Sequence, residues 1–67
     1  MDEIVNELVA LVANNGGSMS FRAIVAGVPF ERRSVIPKAL KQARVNGQLT
    51  QTVSLVDGVV VHQFHTA

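Results

Sequence analysis

Basic side chains are concentrated in one short segment of this chain. Five of its six Lys and Arg residues lie between positions 32 and 44, a stretch without a single acidic residue, although the net charge is only +1. Electrostatic attraction acts locally, so a partner feels such a cluster more than the net charge of the chain. The segment therefore indicates a surface for an anionic partner. Its cations are Arg32, Arg33, Lys38, Lys41 and Arg44.

The periodicity of this segment predicts a helix that carries the cluster. With Ser34 as the N-cap, Pro37 lies in the first turn, where its missing N–H has no intrahelical partner. Asn46-Gly47 ends the helix. At helical spacing, four apolar residues then form a narrow inward stripe, and the polar set clusters on the opposite side. The stripe is Ile36, Ala39, Leu40 and Ala43, and the outward set is Ser34, Pro37, Lys38, Lys41 and Arg44.

Residues 30–34, just before this helix, are compatible with either an added helical turn or a loop. The direction of Arg32 and Arg33 is therefore left open.

Two further helices and a short strand are predicted upstream. Asp2 can cap an amphipathic helix that the run 14–17, Asn-Asn-Gly-Gly, terminates. Residues 18–20 form a short extended piece with Met19 inward, and Ser20 caps a second helix over 21–27 that Pro29 separates from the third. Ala23, Ile24 and Val28 are expected to face the core. The apolar arc of the first helix is Ile4, Val5, Leu8, Val9, Leu11 and Val12.

A hairpin is predicted near the C-terminus, because Asp57-Gly58 between two apolar runs is typical of a type I′ turn. Pairing Val56 with Val59 divides the strands, 49–56 and 59–64, into two faces. The expected core face holds Leu49, Gln51, Val53, Leu55, Val60, His62 and Phe64. The outer face holds Thr52, Ser54, Val56, Val59 and Val61.

The order helix, short strand, helix, helix, hairpin resembles the winged helix-turn-helix domain. The residues that carry the resemblance are SVIPKALKQARVNGQL, residues 34–49, followed by VDGVVV, residues 56–61. It implies one α+β domain over residues 1–67, with three helices, a short first strand and a C-terminal two-stranded hairpin as the wing. The link between the second and third helices is a residue or two longer than in the simplest members of the family.

The resemblance also implies a function: a small regulator of transcription or accessory factor that inserts its third helix into the major groove of double-stranded DNA. By position, Arg33, Ser34, Pro37 and Lys38 would face bases, and Lys41 and Arg44 would face the backbone. Arg32 completes the expected DNA-binding set. A competing hypothesis is a protein-interaction module that uses the basic helix face and the hairpin valines. A third alternative is that the charged face has no partner, because the exposed side of a helix often carries charges that are simply solvated.

The expected wing lacks the cation that usually grips phosphate, because residues 45–67 contain no Lys or Arg. It would contact DNA through backbone N–H, Thr or Ser groups, or it would bind protein. Val56, Val59 and Val61 indicate a self-association surface and a homodimer, although valine is also common in strands for its β-propensity alone.

Other function classes find little support in the sequence. The chain has no cysteine, no phosphate-binding glycine loop and no carboxylate pair among apolar residues. We therefore expect that the protein is not an enzyme and that it binds no cofactor and no small-molecule substrate. His62 and His65 are three apart in a strand and point to opposite faces, which opposes a shared metal ion. We expect His62 at the core edge and His65 on the terminal surface.

No apolar run is long enough to cross a membrane, and the acidic start MDEIVNE is unlike a signal peptide. We expect a cytoplasmic protein without membrane contact, associated with the nucleoid if its source is a prokaryote or a phage.

Overall fold

A computed structural model describes residues 2–67 as an α+β arrangement, which confirms the predicted fold class at that level. Over these residues, three α-helices pack against a three-stranded antiparallel sheet with strand order β1-β3-β2. None of these helices is long and apolar enough to span a bilayer. The elements are α1 Asp2–Asn14, β1 Ser18–Ser20, α2 Phe21–Ala26, a 3-10 helix Phe30–Val35, α3 Ile36–Val45, β2 Leu49–Val56 and β3 Val59–Thr66.

The two predicted serine caps have different outcomes. Ser20 is extended and its Oγ accepts the N–H of Ala23 at 3.1 Å, so the cap of α2 is confirmed. Ser34 as the cap of α3 is wrong: it lies inside the 3-10 helix, and α3 follows Val35 without a side-chain cap. An N-cap needs an extended backbone, whereas here one helix runs straight into the next. Pro37 does lie in the first turn of α3.

The core forms where the helices meet the base of the hairpin. The predicted stripe of α3 is fully confirmed, but Ala23 of α2 is exposed, contrary to expectation. α2 turns Phe21, Ile24 and Val25 toward the core, and at 100° per residue Ala23 then points away from it. The buried residues are Ile4, Val5, Leu8, Val12, Ile24, Val28, Ile36, Ala39, Leu40, Ala43, Leu49 and Phe64.

The hairpin has the predicted register, with Val56 opposite Val59 across the turn. Asp57 and Gly58 both have positive φ, +51° and +78°, as a type I′ turn requires. The expected core face is wrong toward the tip, because Val53, Leu55 and Val60 are exposed and of this face only Leu49 and Phe64 are buried. Among the described residues, the core therefore includes only the base of the hairpin, and the outer half stays exposed.

β1 completes the sheet on the other side of β3. Met19 lies opposite Phe64 and packs half-buried against the core, as predicted. The backbone N–H of Thr66 also donates to the carbonyl of Gly17 at 2.9 Å. The central strand β3 is therefore held on both sides only along its C-terminal half, from residue 63 onward.

Candidate nucleic-acid interface

The exposed side of α3 carries three cations, Lys38, Lys41 and Arg44, which we call the α3 basic face. All three are exposed, opposite the buried stripe of the same helix. A spacing of three residues places them in one row along the helix, over a rise of about 9 Å. Within residues 2–67, none of them forms an ion pair or a side-chain hydrogen bond. Three full positive charges are therefore presented to solvent in a row.

The two arginines of the 3-10 helix are engaged within the chain. Arg32 donates from Nη1 to the Glu7 carboxylate of α1 at 2.7 Å, in an exposed ion pair. Arg33 donates from Nε to the Val28 carbonyl at 3.3 Å, and its guanidinium lies 5.6 Å from the centre of the Phe30 ring. Of the two alternatives predicted for residues 30–34, the added helical turn is therefore the one present. The contacts of Arg32 and Arg33 determine the directions of both side chains.

The remaining members of the predicted set, Ser34 and Pro37, are exposed at the junction of the 3-10 helix and α3. Pro37 is on the same helix as the α3 basic face and lines a groove together with Arg44. The structure therefore places Pro37, Lys38, Lys41 and Arg44 together on α3, with Ser34 adjacent in the chain.

A groove separates α3 from the base of the hairpin, with a volume of about 300 Å³. Its α3 side carries Pro37 and Arg44, and its hairpin side carries His62, whose Nδ1 lies 2.9 Å from Gln51 Nε2. His62 is exposed, so its expected position at the core edge is wrong. Sequence reasoning missed it as a groove residue, although the alternation along β3 placed it on the same face as Phe64.

His65 joins the three strands on the opposite face of the sheet. Its Nδ1 lies 2.8 Å from the Ser18 hydroxyl of β1, and its Nε2 lies 2.8 Å from the Thr52 hydroxyl of β2. The ring is half-buried, so the expectation of a simple terminal surface residue is wrong. The two histidines do lie on opposite faces, as predicted. Because a hydroxyl both donates and accepts, each contact can be made by either ring tautomer.

The outer half of the hairpin, which we call the apolar tip, is exposed on both faces. Val56 and Val59 of the predicted self-association set are exposed, whereas Val61 is half-buried. The opposite face adds Val53, Leu55 and Val60, which the sequence pattern assigns to the core. The apolar tip comprises Val53, Leu55, Val56, Val59 and Val60, each more than half exposed.

Comparison with models of known protein families, with curated protein sequences and with solved structures found no match to this chain. The interpretation of its surfaces therefore rests on their own geometry and charge.

Proposed function

We propose that this chain is a DNA-binding domain of the winged helix-turn-helix type that lays α3 in the major groove of duplex DNA. It would act as a small regulator of transcription or as an accessory DNA-binding factor. The observation that carries the proposal is the α3 basic face, three exposed cations without a partner among the described residues. The element order and the C-terminal hairpin support it, since they agree with the resemblance.

In this proposal the parts of α3 have different roles. Pro37 and Lys38, near the helix start, face the bases, where the proline ring can contact a thymine methyl and the lysine can donate to a guanine. Lys41 and Arg44, one and two turns on, bind phosphates. Across the groove from Arg44, an imidazole N–H of His62 supplies a polar contact from a hairpin that has no Lys or Arg.

The structure limits the strength of such binding. The two neutralised phosphates, those that Lys41 and Arg44 bind, predict that log K falls with log salt at a slope of about −1.8 per bound copy. Affinity should then fall about 12-fold between roughly 50 and 200 mM salt. A single copy would consequently bind weakly under ordinary ionic conditions.

The test is a fluorescence anisotropy titration of a labelled random duplex at several salt concentrations. Lys41→Ala should reduce the slope by about 0.9, because it removes one phosphate contact. Arg22→Ala is the matched control: it removes the same charge from an exposed residue of α2 outside the basic face. Joint replacement of Lys38, Lys41 and Arg44 by alanine should abolish binding while the circular dichroism spectrum persists. Unchanged binding by that folded triple variant would refute the proposal.

A second candidate is a protein-interaction module on the same fold, which the apolar tip favours. Five large apolar side chains, each more than half exposed on a protruding hairpin, form a surface that commonly binds protein. Absence of DNA binding even at about 50 mM salt would favour this candidate, because phosphate contacts are strongest at low salt.

A further inference from the structure

The β2 strand is an open edge of the sheet without the usual protection. It spans eight residues, pairs with β3 on one side only, and its register runs from Leu49 to Val56 without a bulge. Its sequence, LTQTVSLV, contains no charged residue, no proline and no glycine. Monomeric proteins normally guard such an edge with lysine, proline, a bulge or a short strand, since an unguarded edge pairs with other chains.

The register determines which backbone groups face this open edge. Thr66 donates its N–H to Gly17 and thus away from β2. In an antiparallel pair, residues alternate between facing their partner and facing away from it, and both members of a pair behave alike. Leu49, the partner of Thr66, therefore points its own N–H and carbonyl outward, as does every second residue beyond it. The free donors and acceptors belong to Leu49, Gln51, Val53 and Leu55.

We propose that a second copy of this chain pairs with that edge, β2 against β2, in antiparallel orientation about a two-fold axis at Val53. Outward-facing residues then meet outward-facing residues: Val53 lies opposite Val53, and Gln51 of each copy lies opposite Leu55 of the other. These three pairs exchange roughly six backbone hydrogen bonds. The two sheets become one continuous sheet of six strands.

Charge and side-chain chemistry favour an identical strand as the occupant. β2 has no formal charge, so two copies approach without repulsion, and the only charged residue between 45 and 67 is Asp57 at the turn. The same register pairs Thr52 with Ser54 on the outer face and valine with valine on the other, and both are favourable cross-strand pairs. The core contains only twelve buried residues among residues 2–67, and small domains with such a core commonly gain stability by oligomerisation.

The dimer would also change how the protein binds DNA, and this consequence rests on the proposed function. A two-fold axis perpendicular to a sheet keeps the helices of both copies on the same face, so both α3 basic faces belong to one side of the dimer. Four neutralised phosphates would double the salt slope to about −3.6. The dimer itself does not depend on DNA, and its tests use protein alone.

Val53→Cys provides the first test, since the chain has no other cysteine. Residues opposite each other in a hydrogen-bonded pair have Cα atoms about 5.5 Å apart, within the range of a disulfide. Mild oxidation should cross-link this variant into a dimer. Val60→Cys is the matched control: Val60 is 56% exposed against 60% for Val53 and shares its face, but lies on β3. Equal cross-linking of both variants would overturn the proposal.

Analytical ultracentrifugation of the uncross-linked protein provides the second test. The wild type should sediment as a dimer at about 100 μM. Val53→Lys sets two like charges opposite each other at the axis and should raise the dimer dissociation constant about tenfold or more. Val60→Lys, with the same change on β3, should leave it unchanged. A wild type that is monomeric even at about 1 mM, or equal effects of both lysines, would refute pairing through β2 while leaving DNA binding by α3 untouched.

Discussion

The ion pair between Arg32 and Glu7 leads to an unusual prediction: removal of an acidic side chain from α1 should add a DNA contact. Glu7→Gln frees Arg32, which lies in the 3-10 helix directly before α3. The pair is exposed on both sides, 38% and 55%, so its loss changes the free energy of unfolding by about 1 kcal/mol or less. The folded structure should therefore persist.

The magnitude depends on the number of neutralised phosphates. A third phosphate contact changes the slope of log K against log salt from about −1.8 to about −2.7 per bound copy. The advantage of Glu7→Gln over the wild type should then shrink about 3.5-fold between roughly 50 and 200 mM salt. Anisotropy titrations of both proteins with one labelled duplex, at three or four salt concentrations, measure this difference directly.

Glu3→Gln is the control, because Glu3 is exposed on the same helix, loses the same charge and has no ion-pair partner among the described residues. It should leave the slope unchanged. An equal steepening by both variants would show that net charge, rather than release of Arg32, is responsible. No steepening with Glu7→Gln would exclude Arg32 from the DNA-binding surface.

Two predictions concern stability and are measured by urea unfolding. Ser20→Ala should lower the free energy of unfolding by about 1 kcal/mol, because it removes the cap bond to Ala23. Ser34→Ala should change this free energy by less than about 0.5 kcal/mol, because Ser34 caps no helix. Equal losses for the two variants would indicate that Ser34 does cap α3. Gly16→Ala and Gly17→Ala both place a side chain at positive φ, at a loss of about 1–2 kcal/mol each. Gly17→Ala should lose more, since its Cβ would lie 3.0 Å from Thr66 Oγ1 while Gly16 faces open space, and an equal loss would show that Thr66 moves freely.

Local rules account for most of the fold. The stripe of α3, the cap at Ser20 and the register around Asp57-Gly58 depend on residues near each other in the chain, and the sequence pattern predicts all three. Burial of the hairpin could not be predicted in the same way. Alternation along a strand identifies which side chains share a face, but it does not show how far the helices reach along that face. The sequence pattern therefore assigns Val53, Leu55 and Val60 to the core, whereas all three are exposed.

In the candidate site, too, the features that depend on nearby residues could be predicted and those that depend on distant residues could not. Lys38, Lys41 and Arg44 share a helix face that the 3.6-residue period determines. The direction of Arg32 depends instead on Glu7, 25 residues away in the chain, which no local pattern reports. The failed cap at Ser34 has a related cause, because Ser34 lies within the 3-10 helix and therefore lacks the extended backbone that a cap needs. DNA binding, the dimer and the winged-helix assignment remain predictions for the titration, cross-linking and sedimentation experiments.

The 3-10 helix has a practical consequence for handling the protein. None of its six residues is buried, and it contains the dibasic pair Arg32-Arg33, so brief treatment with trypsin should cleave the chain there first. The two fragments should stay together, since α1 packs on α3 and β1 is hydrogen-bonded to β3. Co-elution of both fragments in size-exclusion chromatography would confirm this, and separate elution would contradict it. Residues 1–33 and 34–67, produced separately, should then assemble on mixing and serve as a fragment-complementation pair.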